Sequence, residues 1–178
     1  MIHGWLRWLL AILGVILAGF VAQRLLSDKT VTGRLVASEP VAMLGSGSNA
    51  VAVAANGTTL TWLPPPEEGS LPQLPLASLP AGERLAGTLL QQVRVLAAAP
   101  PVLRPYLARS YYGESGVDVE LSSGIELRFG DASATALKWR AAAAVLADPE
   151  VTALDYVDLH APKHPATGGS GHALPAIP

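Results

Sequence analysis

The clearest pattern in the chain is an alternation between Val117 and Phe129. Val117, Val119 and Leu121 are separated by Asp118 and Glu120; Ile125, Leu127 and Phe129 are separated by Glu126 and Arg128. Successive side chains of a strand point to opposite faces, so this spacing predicts two strands with one buried and one wet face. Ser122-Ser123-Gly124 supplies the small residues of a short reversal and makes the pair a hairpin. After Gly130 the period changes. Leu137, Ala141, Ala144, Val145 and Leu146 fall on one side of a helix, with Asp131 or Ser133 as N-cap and Asp148-Pro149 as its end. Val157 and Leu159 then alternate with Tyr156, Asp158 and His160 in a further strand that Pro162 stops. Leu127, Phe129, Val157, Leu159, Leu137 and Val145 are the expected heart of the core, with Glu126 on a solvated face.

Upstream, two apolar runs, Ala50 to Ala55 and Thr58 to Trp62, flank Asn56-Gly57, a strong hairpin signal. Pro64 to Pro80 is proline-rich and predicts an extended surface segment. Leu85, Leu89, Val93 and Leu96 form one stripe, so a second helix is expected over 82–99, ended by Pro100-Pro101. Leu103 to Gly113 reads as a strand whose Tyr106, Tyr111 and Tyr112 are half-buried with their hydroxyls reaching water. The fold class is α+β: a mostly antiparallel sheet with two helices packed on one face. Residues 163–178 carry no periodicity and read as a disordered tail.

The amino-terminal end follows neither period. Trp8 to Ala22 is uninterruptedly apolar, and Trp5 to Leu26 extends it to about 22 residues, roughly 33 Å of helix. Arg7 and Arg24 lie near its ends, where long side chains reach the headgroups, and Trp5 and Trp8 suit the membrane interface. The competing reading is a cleaved signal peptide. Cutting after Ala22 puts Phe20 three residues before the cut, and cutting after Ala18 puts Ile16 there, where a small residue is needed. The expectation is an uncleaved anchor at 5–26, preceded by a short cytoplasmic end at 1–4. Arg24, at the far end of the span, and Lys29 and Arg34 beyond it oppose Arg7 and the amino-terminal amine, so the count of positive charge does not orient it.

Composition adds exclusions. The 178 residues are half hydrophobic with a formal net charge of −2, which leaves no electrostatic footprint for nucleic acid. Cysteine is absent, so no disulfide or thiolate metal site can form. Gly45-Ser46-Gly47-Ser48 lacks the Gly-Lys-Ser/Thr ending of a phosphate loop. No serine lies in a nucleophile elbow, and no acidic pair is placed in a cleft by its spacing. His160, His164 and His172 sit at a strand end and in the tail, without two ligands on one rigid element. No catalytic residue, metal ligand, cofactor or small-molecule substrate is expected.

The order of these pieces resembles the carboxy-terminal β-domain of the bacterial cell-division family FtsQ, called DivIB in Gram-positive bacteria. The matching residues are Gly124-Ile-Glu-Leu-Arg-Phe-Gly130, the helix carrying Leu137-Lys138, and above all Tyr156-Val157-Asp158-Leu159-His160, where the family shows Tyr-Val-Asp-Leu-Arg. Ser38-Glu39-Pro40-Val41-Ala42 is similar to the segment that closes the family's membrane-proximal POTRA domain, and Leu71-Pro72-Gln73-Leu74-Pro75 to a short family segment. The resemblance implies a β-domain over 39–162. It departs at 27–38, where about a dozen residues stand in place of a POTRA domain of roughly 70. That stretch is either a POTRA remnant or a linker.

The resemblance further implies a single-pass protein of the cytoplasmic membrane with its carboxy-terminal domain outside, at the division septum. It would bind partner division proteins of the FtsB and FtsL kind, linking early and late septal components. The implied binding residues are Tyr156, Val157, Asp158, Leu159 and His160, on the strand Asp155 to Ala161. A last strand followed by a loose tail is expected at a sheet edge, where unpaired backbone groups can accept a partner's strand. Tyr156 and Asp158 would face the partner while Val157 and Leu159 hold the strand to the core. The alternative is a membrane-anchored binding module for cell-wall or secreted ligands, unrelated to division.

Overall fold

The hairpin read from the alternation lies near the middle of a single eight-stranded sheet. The computed structural model describes residues 39–76, 80 and 82–175. The expected span at 5–26 and the segment 27–38 lie outside the described residues. Among the described residues no helix is long and apolar enough to cross a membrane. The strands are β1 (Pro40–Leu44), β2 (Val51–Ala54), β3 (Gln73–Leu74), β4 (Leu107–Gly113), β5 (Gly116–Leu121), β6 (Glu126–Gly130), β7 (Ala153–Asp158) and β8 (Ala166–Ala173). The helices are α1 (Gly87–Ala97) and α2 (Thr135–Leu146). Their order across the sheet is β2-β1-β3-β4-β5-β6-β7-β8.

Most pairing is antiparallel, as local reversals require: β1 with β2, β4 with β5, β5 with β6, and β7 with β8. Where a helix or a long segment intervenes, the chain returns parallel: β6 with β7 across α2, and the two-residue β3 with both β1 and β4. β3 is the centre of the proline-rich segment. Pro72 and Pro75 flank it and lack the N–H groups that would lengthen it, although the Pro72 carbonyl still accepts from the Met43 N–H at 3.0 Å. At Asn56-Gly57 the reversal forms, with Gly57 at φ 82°. Its second arm is reduced to a single bridge from Val53 to Thr59.

Val117, Val119, Leu121, Ile125, Leu127, Phe129, Val157 and Leu159 all point to one side and are buried there against both helices. α1 is shorter than the sequence predicts. Leu85 is buried ahead of it, with its N–H bonded to the Gly57 carbonyl, and the helix proper buries Val93, Val95 and Leu96. α2 is rotated from the predicted face. It buries Lys138, Trp139, Ala142 and Leu146, while Leu137 and Val145 are only half-buried. Trp139 decides the rotation. Its ring stacks obliquely on Phe129 with centroids 4.8 Å apart, and its Nε1–H donates to the Val95 carbonyl of α1 at 2.8 Å. Lys138 follows it inward because its ammonium finds three acceptors: the Phe129 carbonyl, the Asp131 carbonyl and Asp131 Oδ1, all within 3.0 Å. Asp131 is therefore not the helix N-cap. Lys138 first, then Ser133, hold its carboxyl well below the usual carboxylate range. The N-cap position falls to Ala134, in the left-handed region at φ 48°.

The largest correction concerns the carboxy-terminal end. The stretch expected to be disordered contains β8, which pairs antiparallel with β7 from Ala153↔Ala173 to Asp158↔Ala166. The strand expected at the sheet edge is consequently internal, with β6 on one side and β8 on the other. Small residues make this possible. A Cβ on Gly168 would fall 2.6 Å from the Tyr156 ring, and one on Gly169 would fall 1.9 Å from the Asp155 carboxylate. Two side chains of β7 thus lie across β8 in the space its glycines leave empty.

Candidate functional site

The helices cover one face of the sheet. The other face, toward the β7–β8 end, carries a connected set of polar side chains. The hydroxyl of Tyr111 on β4 donates to Glu126 on β6, which also pairs with the Arg128 guanidinium. That guanidinium lies 4.0 Å over the ring of Tyr156 on β7, a cation–π contact. The Tyr156 ring in turn covers Gly168 of β8. Asp158 sits beside Arg128 in register and bonds His160 through both its backbone N–H, at 2.9 Å, and its imidazole, at 2.7 Å.

Of the residues expected to form the site, Tyr156 and Asp158 are half-buried on this polar face and His160 is exposed at its end. Val157 and Leu159 point the other way and are fully buried in the core, so they support the face without being reachable from it. Glu126 is not on a bare solvated surface. Burial would raise its pKa, but the hydrogen bonds from Tyr111 and Arg128 outweigh this and hold the carboxyl below its ordinary value. For Asp158, burial is likewise outweighed by the two bonds from His160, so it too titrates low.

Asp118 behaves oppositely. It is 8% exposed, beneath the network on β5; its backbone carbonyl accepts from the Ser110 hydroxyl at 2.9 Å, but among the described residues no side chain or backbone N–H donates to its carboxylate. Burial first, and then the neighbouring Glu126 charge, push its pKa up to about 6, against the favourable fields of Arg128 and His160. A carboxyl whose pKa is higher folded than unfolded binds its proton more tightly in the folded state. Stability therefore falls as pH rises from the unfolded value toward about 6, and the deficit persists above it. Asp118→Asn is expected to stabilise the domain by about 1–3 kcal/mol near neutral pH and to change little near pH 4. Paired urea melts at the two pH values check this, and equal effects at both would show that the carboxylate is not paying a desolvation cost.

The sheet's two ends differ. Beyond β2 the chain folds back, so that Leu60 N–H bonds the Ala52 carbonyl and Thr59 bridges Val53. Beyond β8 no described strand follows, so its outer side is the open edge of the sheet. On the inner side β8 is held by its ladder to β7 and by the Gly171 N–H bond to Asp155 at 2.8 Å. Elsewhere, a cleft of about 650 Å³ beside the β1–β2 loop is lined by Ser46, Ser48, Asn49, Thr61, Leu63 and their neighbours. Among the described residues no acid, base or histidine lines it, so none of them is placed to activate its serines.

Residues 42–160 match the family described as cell division protein FtsQ/DivIB, C-terminal. The chain belongs to the FtsQ/DivIB family. No curated protein matches it. The match places a cell-division role on the domain just described, and it stops at His160, before β8. Sequence reasoning missed β8 for the same reason that it lies outside periodic patterns. Ala-Thr-Gly-Gly-Ser-Gly-His-Ala has no alternation of apolar and polar side chains, and backbone pairing alone makes it a strand. The signal present was indirect: Pro162 and Pro165 bracket a turn just long enough to reverse the chain onto β7.

Proposed function

We propose that this protein is a membrane-anchored division scaffold whose β-domain, outside the cytoplasmic membrane, captures partner division proteins of the FtsB and FtsL kind at the septum. The observation that carries the reading is the outer side of β8. It presents a row of backbone donors and acceptors with almost no side-chain bulk, next to the polar face formed by Tyr156, Asp158 and His160. A partner's segment adding there as a ninth strand would gain main-chain hydrogen bonds from β8 and side-chain contacts from β7. Family membership supports the division role, and the apolar run at 5–26 supports the anchor. The docking edge is thus one strand further along the chain than the sequence alone suggests, with Tyr156 as its support.

A photo-crosslinking residue at Thr167 or Ser170 of β8 tests this in growing cells. Capture of an FtsB- or FtsL-like division protein from β8, and not from the exposed Arg94 or Arg140 on the helices, is the expected result. Tyr156→Ala should weaken that capture by more than about 1 kcal/mol, as removal of an anchoring aromatic does. Equal capture from helix and strand positions would move the site off the edge. A fluorescent fusion spread evenly around the cell, with β8 labelling only wall-associated or secreted proteins, would instead favour a binding module unrelated to division.

A further inference from the structure

His160 leaves the end of β7 and reaches back over the end of the sheet. On one side its Nδ1 lies 2.7 Å from Asp158 Oδ1. On the other its Nε2 lies 3.3 Å from the carbonyl oxygen of Ser115, in the turn between β4 and β5. Between the two the ring lies against Gly130 at the end of β6, where a Cβ would fall 2.5 Å from Nε2. One side chain therefore touches three elements that are far apart in sequence. Both of its polar partners are acceptors only. A neutral imidazole has a single N–H. It can satisfy one partner, and it then turns a lone pair toward the other. An imidazolium donates to both.

We propose that His160 is a proton-operated clasp between the β4–β5 turn and the β7–β8 hairpin, closed when the imidazole carries two protons and open at Ser115 when it carries one. The charged groups around it come from each neighbouring element: Asp158 on β7, Asp118 on β5, Arg128 on β6 and Lys138 on α2. The Asp158 hydrogen bond most strongly raises the imidazole pKa above its ordinary value. The Ser115 carbonyl adds to the rise, while burial and Lys138 oppose it. Because the folded-state pKa is the higher one, the closed clasp is fully formed below the ordinary histidine value and is lost as pH rises through the folded value. Asp158 titrates low and stays charged throughout that window. Asp118 takes up a proton near pH 6, which removes one favourable neighbour and blunts the clasp at its acidic end.

An open clasp frees a turn with a glycine at each end, Gly113 and Gly116, paired to each other. It also unties the start of the loop that leads into β8. That the clasp tunes partner capture rests on the docking edge proposed above; the clasp itself does not.

The test is hydrogen–deuterium exchange on the full chain in detergent micelles, corrected for the intrinsic effect of pH on exchange. In the wild-type protein, protection of residues 114–116 should fall about five-fold or more between about pH 5.5 and about pH 8, while the core strand 126–130 stays unchanged. His160→Gln, which keeps a single donor nitrogen and has no titratable proton, cannot donate from both ends as the imidazolium does and should show the low protection at both pH values. Wild-type protection that is flat with pH, or a His160→Gln variant that follows the wild-type profile, would overturn the clasp. Should the Gln variant not fold, a titration of the wild-type protein by NMR decides. The Ser115 and Gly116 amide shifts must follow the His160 ring protons with the same midpoint, and independent midpoints sink the proposal. Crosslinking from Thr167 at the same two pH values separates the two readings. A clasp that opens without altering capture leaves the clasp standing and counts against its link to the docking edge.

Discussion

Replacing Trp139 by alanine is expected to cost about 3–5 kcal/mol, the largest loss from any single side chain in this domain. The residue is 1% exposed, and it joins three elements. Its ring packs on Phe129 of β6, its indole N–H bonds a carbonyl of α1, and its backbone belongs to α2. Truncation leaves a cavity at the junction of both helices with the sheet, too deep for a surface side chain to fill. Trp139→Phe should cost much less. It keeps most of the aromatic packing, and the Val95 carbonyl still accepts the Ala98 N–H at 3.2 Å. The check is a pair of urea melts read by far-UV circular dichroism. A loss below about 1 kcal/mol for the alanine variant would mean that α2 does not dock through this ring.

Leu127→Ala is expected to destabilise by about 2–5 kcal/mol. Leu127 is fully buried on β6 and lies between Val119 of β5 and Val157 of β7 in register, so the cavity opens inside the sheet's apolar face. Strands bonded on both sides cannot collapse into that space. Glu126, one residue earlier, points to the other face, and its replacement by alanine has a different consequence. It leaves the Tyr111 hydroxyl and the Arg128 guanidinium without their partner, but it also removes a like charge near Asp118. The net cost should be about 1 kcal/mol, above an ordinary surface change and well below that of Leu127. The two variants compared under one denaturant establish the register. A larger loss at Glu126 than at Leu127 would mean that β6 is read one residue out of phase.

The polar face reached by Glu126 also shows what a one-dimensional pattern cannot carry. Asp118 and Glu126 occupy equivalent positions in the alternation, yet their carboxyl groups titrate in opposite directions. Glu126 meets a hydroxyl and a guanidinium from neighbouring strands; the Asp118 carboxylate meets burial and no donor among the described residues. Period-2 spacing placed both on the face opposite the core correctly, but it also made that face wet, and Asp118 is buried there. Which donors stand across from them depends on strand order, and the parallel return of β7 beside β6 is what brings Tyr156 and Asp158 into the network.

Local chemistry along the chain was enough to determine the central hairpin, the existence of a strand around Tyr156–Asp158 (β7, Ala153–Asp158, where Asp155 to Ala161 was expected), the existence of both helices and the α+β class, because each rests on a side-chain period that survives in one dimension. The family, too, was legible in those same residues. Three things were decided only in three dimensions. The buried face of α2 was set by where Trp139 could find both Phe129 and a carbonyl, and by three acceptors waiting for Lys138. The clasp of His160 on Ser115 joins residues 45 apart and has no local signature. The open edge moved from β7 to β8, because a run of glycine, serine and alanine carries no hydrophobic period. Its strand forms only when β7 is already in place to pair its backbone and to lay Tyr156 and Asp155 across the space its missing side chains leave.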